Sequence, residues 1–444
     1  MRFMTLLLPL LLVLPTAASA ELSRPERRMI DTVATERERS VQLLERLVNQ
    51  NSGSLNLEGV EAVGRMIREE LEPLGFDVRW IDMSETGRAG HIVATHRPSS
   101  SGARGKRLLL IGHLDTVFEP DSPFQAFTLE GDRAVGPGVG DDKGGLVVIV
   151  AALRAMKAAG TLDDADITVV LTGDEERPGS PLELARRDLI EAGRNADLAL
   201  EFENLARDGG TDFGTIARRS STSWTLRTNG RSGHSSGVFG ENLGYGAIYE
   251  MARILDAFRR ELPEPNLTYN VGVIGGGTPA SIDDQGLRVS ASGKTNIVAE
   301  TAIARGDIRT LSVEQEQRIR ARMQEIVAQH LPHTGAELIF SEDGYPPMAP
   351  TEGNRALLAS LNAVNRDLGL AEMPEFDPAR RGAADSSFVA ADTDVLAGLG
   401  ASGGGAHAPG EWIELDSLVR QSQRMAVWMS RLAREPRPVS SGRR

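Results

Sequence analysis

Short, almost wholly apolar segments alternate with segments of helical spacing along the first half of the chain. The apolar segments at 107–111, 167–171 and 198–202 predict strands that are buried on both faces, as in the centre of a parallel sheet. Apolar residues spaced three and four apart predict helices at 146–159 and 182–192. This alternation predicts an α/β domain whose mostly parallel central sheet is flanked by helices.

The pattern changes from about Ala217, where alternating strands become more frequent than buried ones. It predicts an inserted α+β domain of ferredoxin-like (split βαβ) type, with helices on one side of a mostly antiparallel sheet. Its predicted strands are 223–227, 268–274, 286–291, 300–309 and 336–341, and its helices are 243–260 and 313–330. Helices predicted at 354–368 and 417–432 return to the first domain, which also opens with predicted helices at 28–50 and 60–74.

The two ends of the chain are predicted to lie outside this fold. Arg2, the apolar run 4–14 and the small residues Ala18, Ser19 and Ala20 are typical of a signal peptide cleaved near Ala20, which predicts a periplasmic or secreted protein. The alternative is an N-terminal membrane anchor, but the apolar run is short for a bilayer. Residues 436–444 lack periodicity and are predicted to form a disordered tail.

Composition narrows the possible partners. The net charge is −13, and no basic stripe is available to neutralise phosphates, which argues against nucleic acid as a partner. No other apolar run is long enough to span a membrane, so the sequence predicts no stable membrane anchor. With 7 histidines and no cysteine, any transition-metal site must consist mainly of carboxylates with very few imidazoles.

Polar residues gather where the predicted strands end, which is where open α/β sheets bind ligands. His113 and Asp115 are two residues apart, so both can point to one side, the carboxylate accepting one imidazole N–H while the other nitrogen binds a metal. A chance polar pair that caps a strand is the alternative. Asp141 follows a glycine-rich turn, which suits a bridging metal ligand or, alternatively, a helix N-cap.

Further acidic residues follow the next predicted strands. Asp174, Glu175 and Glu176 crowd three carboxylates together, and such crowding is tolerated where a cation compensates, although a surface acidic run is the alternative. Glu203 follows a similar strand and has the same two interpretations. His407 lies in a glycine-rich loop, a setting that favours a ligand over the structural role usual for a lone histidine.

Together these motifs resemble the M20 metallopeptidases, most closely their glutamate carboxypeptidase branch. The resemblance implies two zinc ions, for which cobalt or manganese could substitute. It implies that His113, Asp141 and Glu203 hold one ion and that Asp141, Glu176 and His407 hold the second, with Asp141 bridging. Glu175 would be the general base and Asp115 would orient His113.

The resemblance also assigns functions to the inserted domain. His234, in the segment 230–236, matches a lid histidine that stabilises the oxyanion, often in the active site of the other subunit, which implies a homodimer formed through the lids. A surface-loop histidine is the alternative. Asn270 and Arg309 resemble lid residues that contact substrate, and the segment 382–386 resembles one that lines the pocket.

In these terms the chain divides into five parts. They are a signal peptide (1–20), the catalytic domain in two pieces (21–216 and 345–435), a lid and dimerisation domain (217–344) and the tail (436–444).

One departure from the family concerns the substrate pocket. Carboxypeptidases of this branch have an arginine before a Gly-x-Pro turn at the end of the lid, which grips the substrate's terminal carboxylate. In this chain the corresponding segment, 341–346, reads Ser-Glu-Asp-Gly-Tyr-Pro. The residues that could supply the anion site instead are Arg309, Arg380, Arg381 and Lys294.

The resemblance implies an exported dizinc metallopeptidase, a carboxypeptidase or dipeptidase, that hydrolyses a peptide or amide bond beside a free carboxylate with a metal-bridging water. The alternative is an N-acyl-amino-acid amidohydrolase with the same centre, so the substrate is a small peptide or an N-acyl amino acid. A non-catalytic metal- or solute-binding protein is a third hypothesis. Glu175 argues against it, because a protein that only binds metal does not need an extra carboxylate beside the ligands.

Overall fold

The computed structural model describes residues 22–99, 105–283 and 286–437. The predicted signal peptide and residues 438–444 lie outside the described residues. The helices are α1 (Arg24–Thr35), α2 (Arg37–Asn49), α3 (Leu57–Leu71), α4 (Lys143–Ala158), α5 (Leu182–Asn195), α6 (Ala247–Glu261), α7 (Val313–Val327), α8 (Glu352–Asp367) and α9 (Leu415–Leu432). The strands are β1 (Asp77–Asp82), β2 (Gly90–His96), β3 (Arg107–His113), β4 (Thr128–Glu130), β5 (Arg133–Val135), β6 (Asp166–Thr172), β7 (Leu198–Glu201), β8 (Arg207–Asp208), β9 (Thr211–Asp212), β10 (Thr222–Gly230), β11 (Thr268–Gly277), β12 (Ala280–Ile282), β13 (Val289–Ala291), β14 (Thr301–Arg309), β15 (Thr334–Phe340), β16 (Val395–Leu396), β17 (Gly403–Gly404) and β18 (Trp412–Glu414).

The main domain is built on a six-stranded sheet in the order β1-β2-β6-β3-β7-β16. The pairs β6–β3, β3–β7 and β7–β16 are parallel, whereas β1–β2 and β2–β6 are antiparallel. The predicted α/β class is confirmed, and the sheet is mixed, with its parallel strands on one side. Burial explains why β3 and β6 are almost wholly apolar, since side chains on both faces of these strands are covered.

The parallel pairing places the ends of three strands at one edge. His113, the last residue of β3, is paired with Thr172 at the end of β6, and Ile111 is paired with Glu201 at the end of β7. Parallel neighbours end on the same side of a sheet, so the polar residues that follow these strands emerge together.

Helices α1, α4 and α9 pack against one another and contribute to the largest apolar core. In α4 the side chains of Leu146, Ile149 and Leu153 are buried, and in α9 those of Met425 and Trp428 are buried. Removal of this apolar surface from water stabilises the domain, at about 25 cal/mol for each Å² buried.

The inserted domain has a four-stranded antiparallel sheet in the order β11-β14-β10-β15. Helices α6 and α7 pack with it around a separate apolar core that contains Trp224, Phe258 and Met323. The ring centroids of Trp224 and Phe258 are 6.2 Å apart, in an edge-to-face contact. This sheet and its helices lie within residues 222–340, inside the predicted inserted domain.

Two connecting segments run side by side between the domains. Arg218 pairs with Met348, and Ser221 pairs with Tyr345, in antiparallel bridges. The backbone N–H groups of Ser221 and Tyr345 each donate to the carbonyl of the other, at 3.0 and 2.9 Å. The chain therefore enters and leaves the inserted domain through one paired ribbon.

Several predicted boundaries differ from the structure. The helix predicted at 28–50 is two helices, separated at Glu36, whose carboxylate is held by Arg154 of α4 at 2.7 and 2.9 Å. The helix predicted from 243 begins at Ala247, because Gly246 has a φ of 78°, outside the helical region. The strand predicted at 286–291 is shortened to Val289–Ala291.

The predicted tail begins with two residues that the structure describes. Pro436 forms a bridge with Gly105, and Arg437 pairs with Asp166 at 2.8 Å. Across the described part of the chain, no helix combines the length and apolar character needed to cross a bilayer.

Replacement of Trp428 by alanine tests the α4–α9 core. Trp428 is fully buried, and its Nε1 donates to Ser360 Oγ at 3.0 Å. We expect Trp428→Ala to lower the free energy of unfolding by about 3–5 kcal/mol, because it leaves a cavity and removes a hydrogen bond. Urea unfolding followed by circular dichroism measures this, with the exposed Leu129→Ala as the control, and equal stability of the two variants would contradict the assignment.

Candidate metal centre

Two imidazoles lie on either side of one carboxylate at the edge where the strands end. His113 Nε2 lies 3.0 Å from Asp141 Oδ1, and His407 Nε2 lies 3.1 Å from Asp141 Oδ2. His407 Nε2 is also 3.1 Å from Glu176 Oε2. The loop presents His407 with a φ of 63°, a conformation that costs energy in residues other than glycine and is concentrated at functional sites.

The predicted ligands and the predicted base converge around His113. Ligand atoms of His113, Asp141 and Glu176 lie within 4.8 Å of one another, and so do those of His113, Glu175 and Glu203. These groups differ from the predicted sets, because Glu176 stands where Glu203 is expected beside His113 and Asp141, and His407 is in neither group. The second group contains His113 and Glu203, two of the three ligands predicted for the first metal ion. Glu175 takes the place expected for the third ligand, Asp141.

The chemistry of these residues fits divalent cations. Glu176 Oε1 is buried and has no hydrogen-bond donor, as expected of an oxygen that faces a cation. Burial raises the pKa of Glu203 to about 8, and burial followed by repulsion from Glu203 raises the pKa of Glu175 well above its ordinary value. Imidazole nitrogens and carboxylate oxygens are ligands for zinc, cobalt and manganese.

The bridging position of Asp141 is also reflected in its electrostatics. Burial alone would raise the pKa of Asp141, but hydrogen bonds from His113 and His407 hold it well below the ordinary value. Hydrogen bonds to Asp141 and Glu176 raise the pKa of His407 to about 10. Asp141 is therefore a carboxylate that stays ionised and attracts positive charge from both sides.

Glu411 holds the loop that carries Asp141, and sequence reasoning missed it. Its carboxylate accepts the backbone N–H groups of Gly138, Gly140 and Asp141 at 2.9, 2.8 and 2.9 Å. The side chain is buried, with 1% exposure of the residue. The available signal was an acidic residue only four positions after His407, at the end of the same glycine-rich loop.

Asp115 supports more than the imidazole that it was predicted to orient. His113 Nδ1 lies 3.4 Å from Asp115 Oδ1 and 3.1 Å from the Asp115 carbonyl oxygen. The carboxylate accepts the backbone N–H groups of Glu175 and Glu176 at 3.0 and 3.1 Å, and the Ser54 hydroxyl at 2.6 Å. One buried carboxylate therefore positions His113 and the Glu175–Glu176 backbone.

Two buried arginines, also missed from the sequence, balance the remaining acidic residues. Arg186 pairs with Asp174 at 2.6 Å and with Asp385 at 2.8 Å. Arg218 Nη2 lies 2.7 Å from Glu201 and 2.6 Å from Glu203. Asp174 and Glu201 are therefore paired with protein cations.

Asp142 also has a supporting position. Its Oδ2 accepts the backbone N–H of His113 at 3.2 Å. It thus holds the end of β3 from the side of α4, which it precedes.

Tyr345 links the connecting ribbon to the backbone of Glu175. Its hydroxyl donates to the Glu175 carbonyl at 2.7 Å and accepts from Arg186 Nη2 at 2.9 Å. Arg218, in the other segment of the ribbon, binds Glu203. Both segments that join the domains therefore contact the centre.

The residues predicted on the inserted domain are not hydrogen-bonded to the centre within one chain. His234 is exposed, and its Nδ1 lies 2.9 Å from Ser236 Oγ in its own loop. Asn270 is exposed on β11, and Arg309 pairs with Asp307 at 3.0 Å. Asn270 and Asp307 are partners across β11 and β14, so Asn270 and Arg309 lie at one end of this sheet.

Comparisons with known proteins relate this chain to a peptidase family. The family model described as "Peptidase family M20/M25/M40" matches residues 109–431, from β3 into α9. The chain is 29% identical to Carboxypeptidase G2 from a Pseudomonas species over 421 residues, which is 92% of this chain and 94% of that protein. It is 27% identical to Succinyl-diaminopimelate desuccinylase from Gluconobacter oxydans over 320 residues, 70% of this chain and 77% of that protein.

The fold is similar to that of a solved peptidase. Aminopeptidase PepT from Bacillus cereus superposes with a TM-score of 0.70 at 19% sequence identity, covering 89% of this chain and 99% of that one. At this identity the likeness concerns the fold.

Loss of the Glu411 carboxylate should weaken metal binding. Glu411→Ala leaves three N–H groups without their acceptor and releases the loop that holds Asp141, so we expect about 10–100-fold weaker affinity for divalent metal. Competition with a chromophoric chelator measures the affinity. The control is Glu414→Ala, which removes a half-exposed carboxylate paired with Arg207, and equal metal affinity of the two variants would disprove the positioning function of Glu411.

Proposed function

Because this chain belongs to the peptidase family M20/M25/M40, we propose that it is an exported dizinc hydrolase that cleaves an amide bond beside a free carboxylate, as a carboxypeptidase or dipeptidase. The observation that carries the proposal is the arrangement of His113 and His407 on the two oxygens of Asp141, with Glu175 alongside.

The residues would divide the two metal ions between them. His113, Asp141 and Glu203 would hold one ion, and Asp141, Glu176 and His407 the other. Two zinc ions bound there would polarise the scissile carbonyl and lower the pKa of a water. Asp115 and Glu411 keep the ligands in place through backbone N–H groups.

Glu175 is positioned to transfer the proton. Asp115 accepts its backbone N–H, and Tyr345 donates to its carbonyl, so the backbone on both sides of its side chain is fixed. The carboxylate takes a proton from the attacking water as the C–O bond forms, and delivers it to the amide nitrogen as the C–N bond breaks. A carboxylate whose pKa is raised by burial is suited to hold that proton between the two steps.

An N-acyl-amino-acid amidohydrolase is the second candidate. The 27% identity with a desuccinylase over 70% of the chain favours it, because that relative's name describes removal of an acyl group. Both reactions use the same water and the same base and differ in the acyl group. A non-catalytic binding protein is disfavoured by the retained Glu175, whose backbone is held on two sides.

Cleavage of a signal peptide is compatible with the start of the first described helix. Helix α1 starts at Arg24, and Ser23 and Glu26 form a reciprocal capping box at its N-terminus. Cleavage near Ala20 would leave this helix start intact.

A homodimer would complete the site. His234 is exposed, and among the described residues its imidazole is hydrogen-bonded only within its own loop, so a second copy would have to receive it. An exposed apolar patch, formed by Phe239, Ile248 and Tyr249, lies on the same domain. The ring centroids of Phe239 and Tyr249 are 4.9 Å apart, and exposed clusters of this kind are typical of association surfaces.

A substrate screen of the mature protein tests the reaction. We expect hydrolysis of dipeptides or N-acyl amino acids that is lost with a chelator and restored by zinc, with two ions bound per chain. Glu175→Gln should keep both ions and lose turnover by about 10²–10⁴-fold, because only the proton acceptor is removed. Wild-type turnover in Glu175→Gln would exclude it as the base, and a clear preference for N-acyl amino acids would select the second candidate.

Mixing two inactive variants tests whether His234 acts in the partner's site. His234→Ala and Glu175→Gln are each expected to be slow with full metal content, whereas their mixed dimer holds one complete site if His234 crosses between subunits. Random re-pairing should then restore about a quarter of wild-type activity, because about half of the dimers are mixed and each has one good site.

Sedimentation of Tyr249→Glu provides the matching structural test. This charge in the apolar patch should shift the protein to a monomer, and the control Leu129→Glu, an equally exposed position in β4, should not. A monomeric wild type would refute the dimer, and no recovery of activity in the mixture would refute the action of His234 in the partner's site.

A further inference from the structure

We propose that Arg381 binds the free carboxylate of the substrate, in place of the lid arginine that this chain lacks. The inference rests on the proposed amide hydrolysis and identifies the part of the substrate that the site recognises. It is carried by the guanidinium of Arg381, which has no acidic partner among the described residues, and by the ion pairs that Arg309 and Arg380 already form.

The segment that carries the lid arginine in the family supplies no guanidinium here. Residues 341–346 contain no arginine. Nearby Arg320 lies over the ring of Phe340 at 4.9 Å and forms an ion pair with Glu316. Its charge is therefore already compensated within the domain.

Two other candidates from the sequence, Arg309 and Arg380, also have their charge compensated by an ion pair, and the candidate lysine lies on the inserted domain. Arg309 pairs with Asp307 at 3.0 Å, and Arg380 pairs with Asp208 at 2.8 Å on the surface. Lys294 is exposed on the inserted domain, between β13 and β14.

Arg381 differs from its neighbour Arg380 in having no acidic partner. Within the described residues it forms no ion pair, and its one hydrogen bond runs from Nη2 to the Asn204 carbonyl at 2.5 Å. Its Nε is buried and unpaired, while the residue as a whole keeps partial exposure. A guanidinium withdrawn from water without a counter-charge is costly, and an anionic ligand would remove that cost.

The surroundings place this guanidinium next to the candidate metal centre. Arg218, which binds Glu203 through Nη2, donates from Nη1 to the carbonyl of Gly382 at 3.2 Å and so fixes the segment after Arg381. Burial, and then repulsion from Arg218, lower the pKa of Arg381 to about 10. The charges that act in the opposite direction belong to the centre itself: Glu203, Glu201 and Asp141.

Gly398 leaves room for Arg381 and a second donor. A Cβ at this position, where φ is +71°, would lie 2.9 Å from Arg381 Nη2 and 3.0 Å from Thr215 Oγ1. The Thr215 hydroxyl is buried and also lacks a partner. A guanidinium and a hydroxyl, both with unused donors, are the groups that recognise a carboxylate.

Two parts of a substrate could supply this carboxylate. One is the α-carboxylate of the amino acid released, and the other is a carboxylate at the far end of a dicarboxylic acyl group. Both would pair with a guanidinium through two N–H···O bonds. The substrates in the test separate them.

The test compares substrates that differ only in charge. An N-acetyl amino acid is paired with its C-terminal amide, and an N-succinyl amino acid amide is paired with the N-butanoyl analogue. Wild type should prefer the charged member of at least one pair, and Arg381→Ala should raise KM for that member by about 10–100-fold, with a smaller change in kcat and little change for the uncharged member. If Arg381→Ala loses the preference for the charged substrate in the first pair, Arg381 binds the α-carboxylate. If it loses that preference in the second pair, Arg381 binds the carboxylate of the acyl group.

Arg380→Ala is the matched control, since it removes the same side chain one position earlier, where it forms a surface ion pair with Asp208 and lies over the ring of Phe376. It should leave both KM values unchanged.

Arg381→Lys should keep the metal content and show an intermediate KM, because lysine keeps the charge but cannot bind a carboxylate through two parallel bonds. Addition of methylguanidine to Arg381→Ala should lower KM again. If Arg381→Ala fails to fold, the KM of Arg381→Lys for the charged substrate tests the proposal. A raised KM supports it, and a wild-type KM overturns it.

The outcomes distinguish the two proposals. If the wild type cleaves dipeptides but none of these amides, a dipeptide and its C-terminal amide replace the first pair. A wild type that cleaves neither dipeptides nor these amides would refute the proposed function. Amide cleavage without a preference for the charged substrates, or a preference that survives in Arg381→Lys and Arg381→Ala, would overturn the function of Arg381 while the hydrolase proposal stands. Loss of that preference in Lys294→Ala, with Arg381→Ala unaffected, would also overturn it.

Discussion

The crowding of carboxylates at one edge of the central sheet is the constraint on which the structure depends. Asp141, Glu175, Glu176 and Glu203 converge at a buried place where like charges repel strongly. Arg186 pairs with Asp174, and Arg218 pairs with Glu201 and Glu203, whereas Asp141 lies between two imidazoles. A fold that holds these groups together without a bound cation spends part of its stability on repulsion, so metal binding and folding should be linked in this protein.

The backbone is what makes this arrangement rigid. Parallel pairing fixes the ends of β3, β6 and β7 at one level, and the two loops that carry ligands are each tied by a buried carboxylate. Asp115 accepts the N–H groups of the loop after β6, and Glu411 accepts those of the loop before α4. Negative side chains thus serve two purposes here, since some face the cation position and others hold the backbone that presents them.

The sequence revealed the residues that stand at strand ends, because apolar periodicity locates the strands and the polar residues follow directly. It did not reveal Glu411, Arg186 or Arg218, because their partners depend on tertiary packing, as with Glu411 and Asp141, which are 270 positions apart. The boundary between α1 and α2 was missed for a similar reason. Arg154 of α4 holds Glu36 at the break between these helices, and no local pattern in the sequence shows this contact. The sequence left four candidate cations for the anion site, because the ion pairs of Arg309 and Arg380 are seen only in the folded structure.

The paired ribbon between the two domains has a mechanical consequence. One of its segments carries Arg218, which forms an ion pair with Glu203. The other carries Tyr345, whose hydroxyl donates a hydrogen bond to the carbonyl of Glu175. A hinge rotation at this ribbon would therefore displace the proposed ligand Glu203 and the proposed base Glu175 at the same time, through these two contacts. Closure over a substrate and alignment of the reacting groups would then be a single motion, and a substrate too small to draw the domains together would be turned over slowly even when it binds.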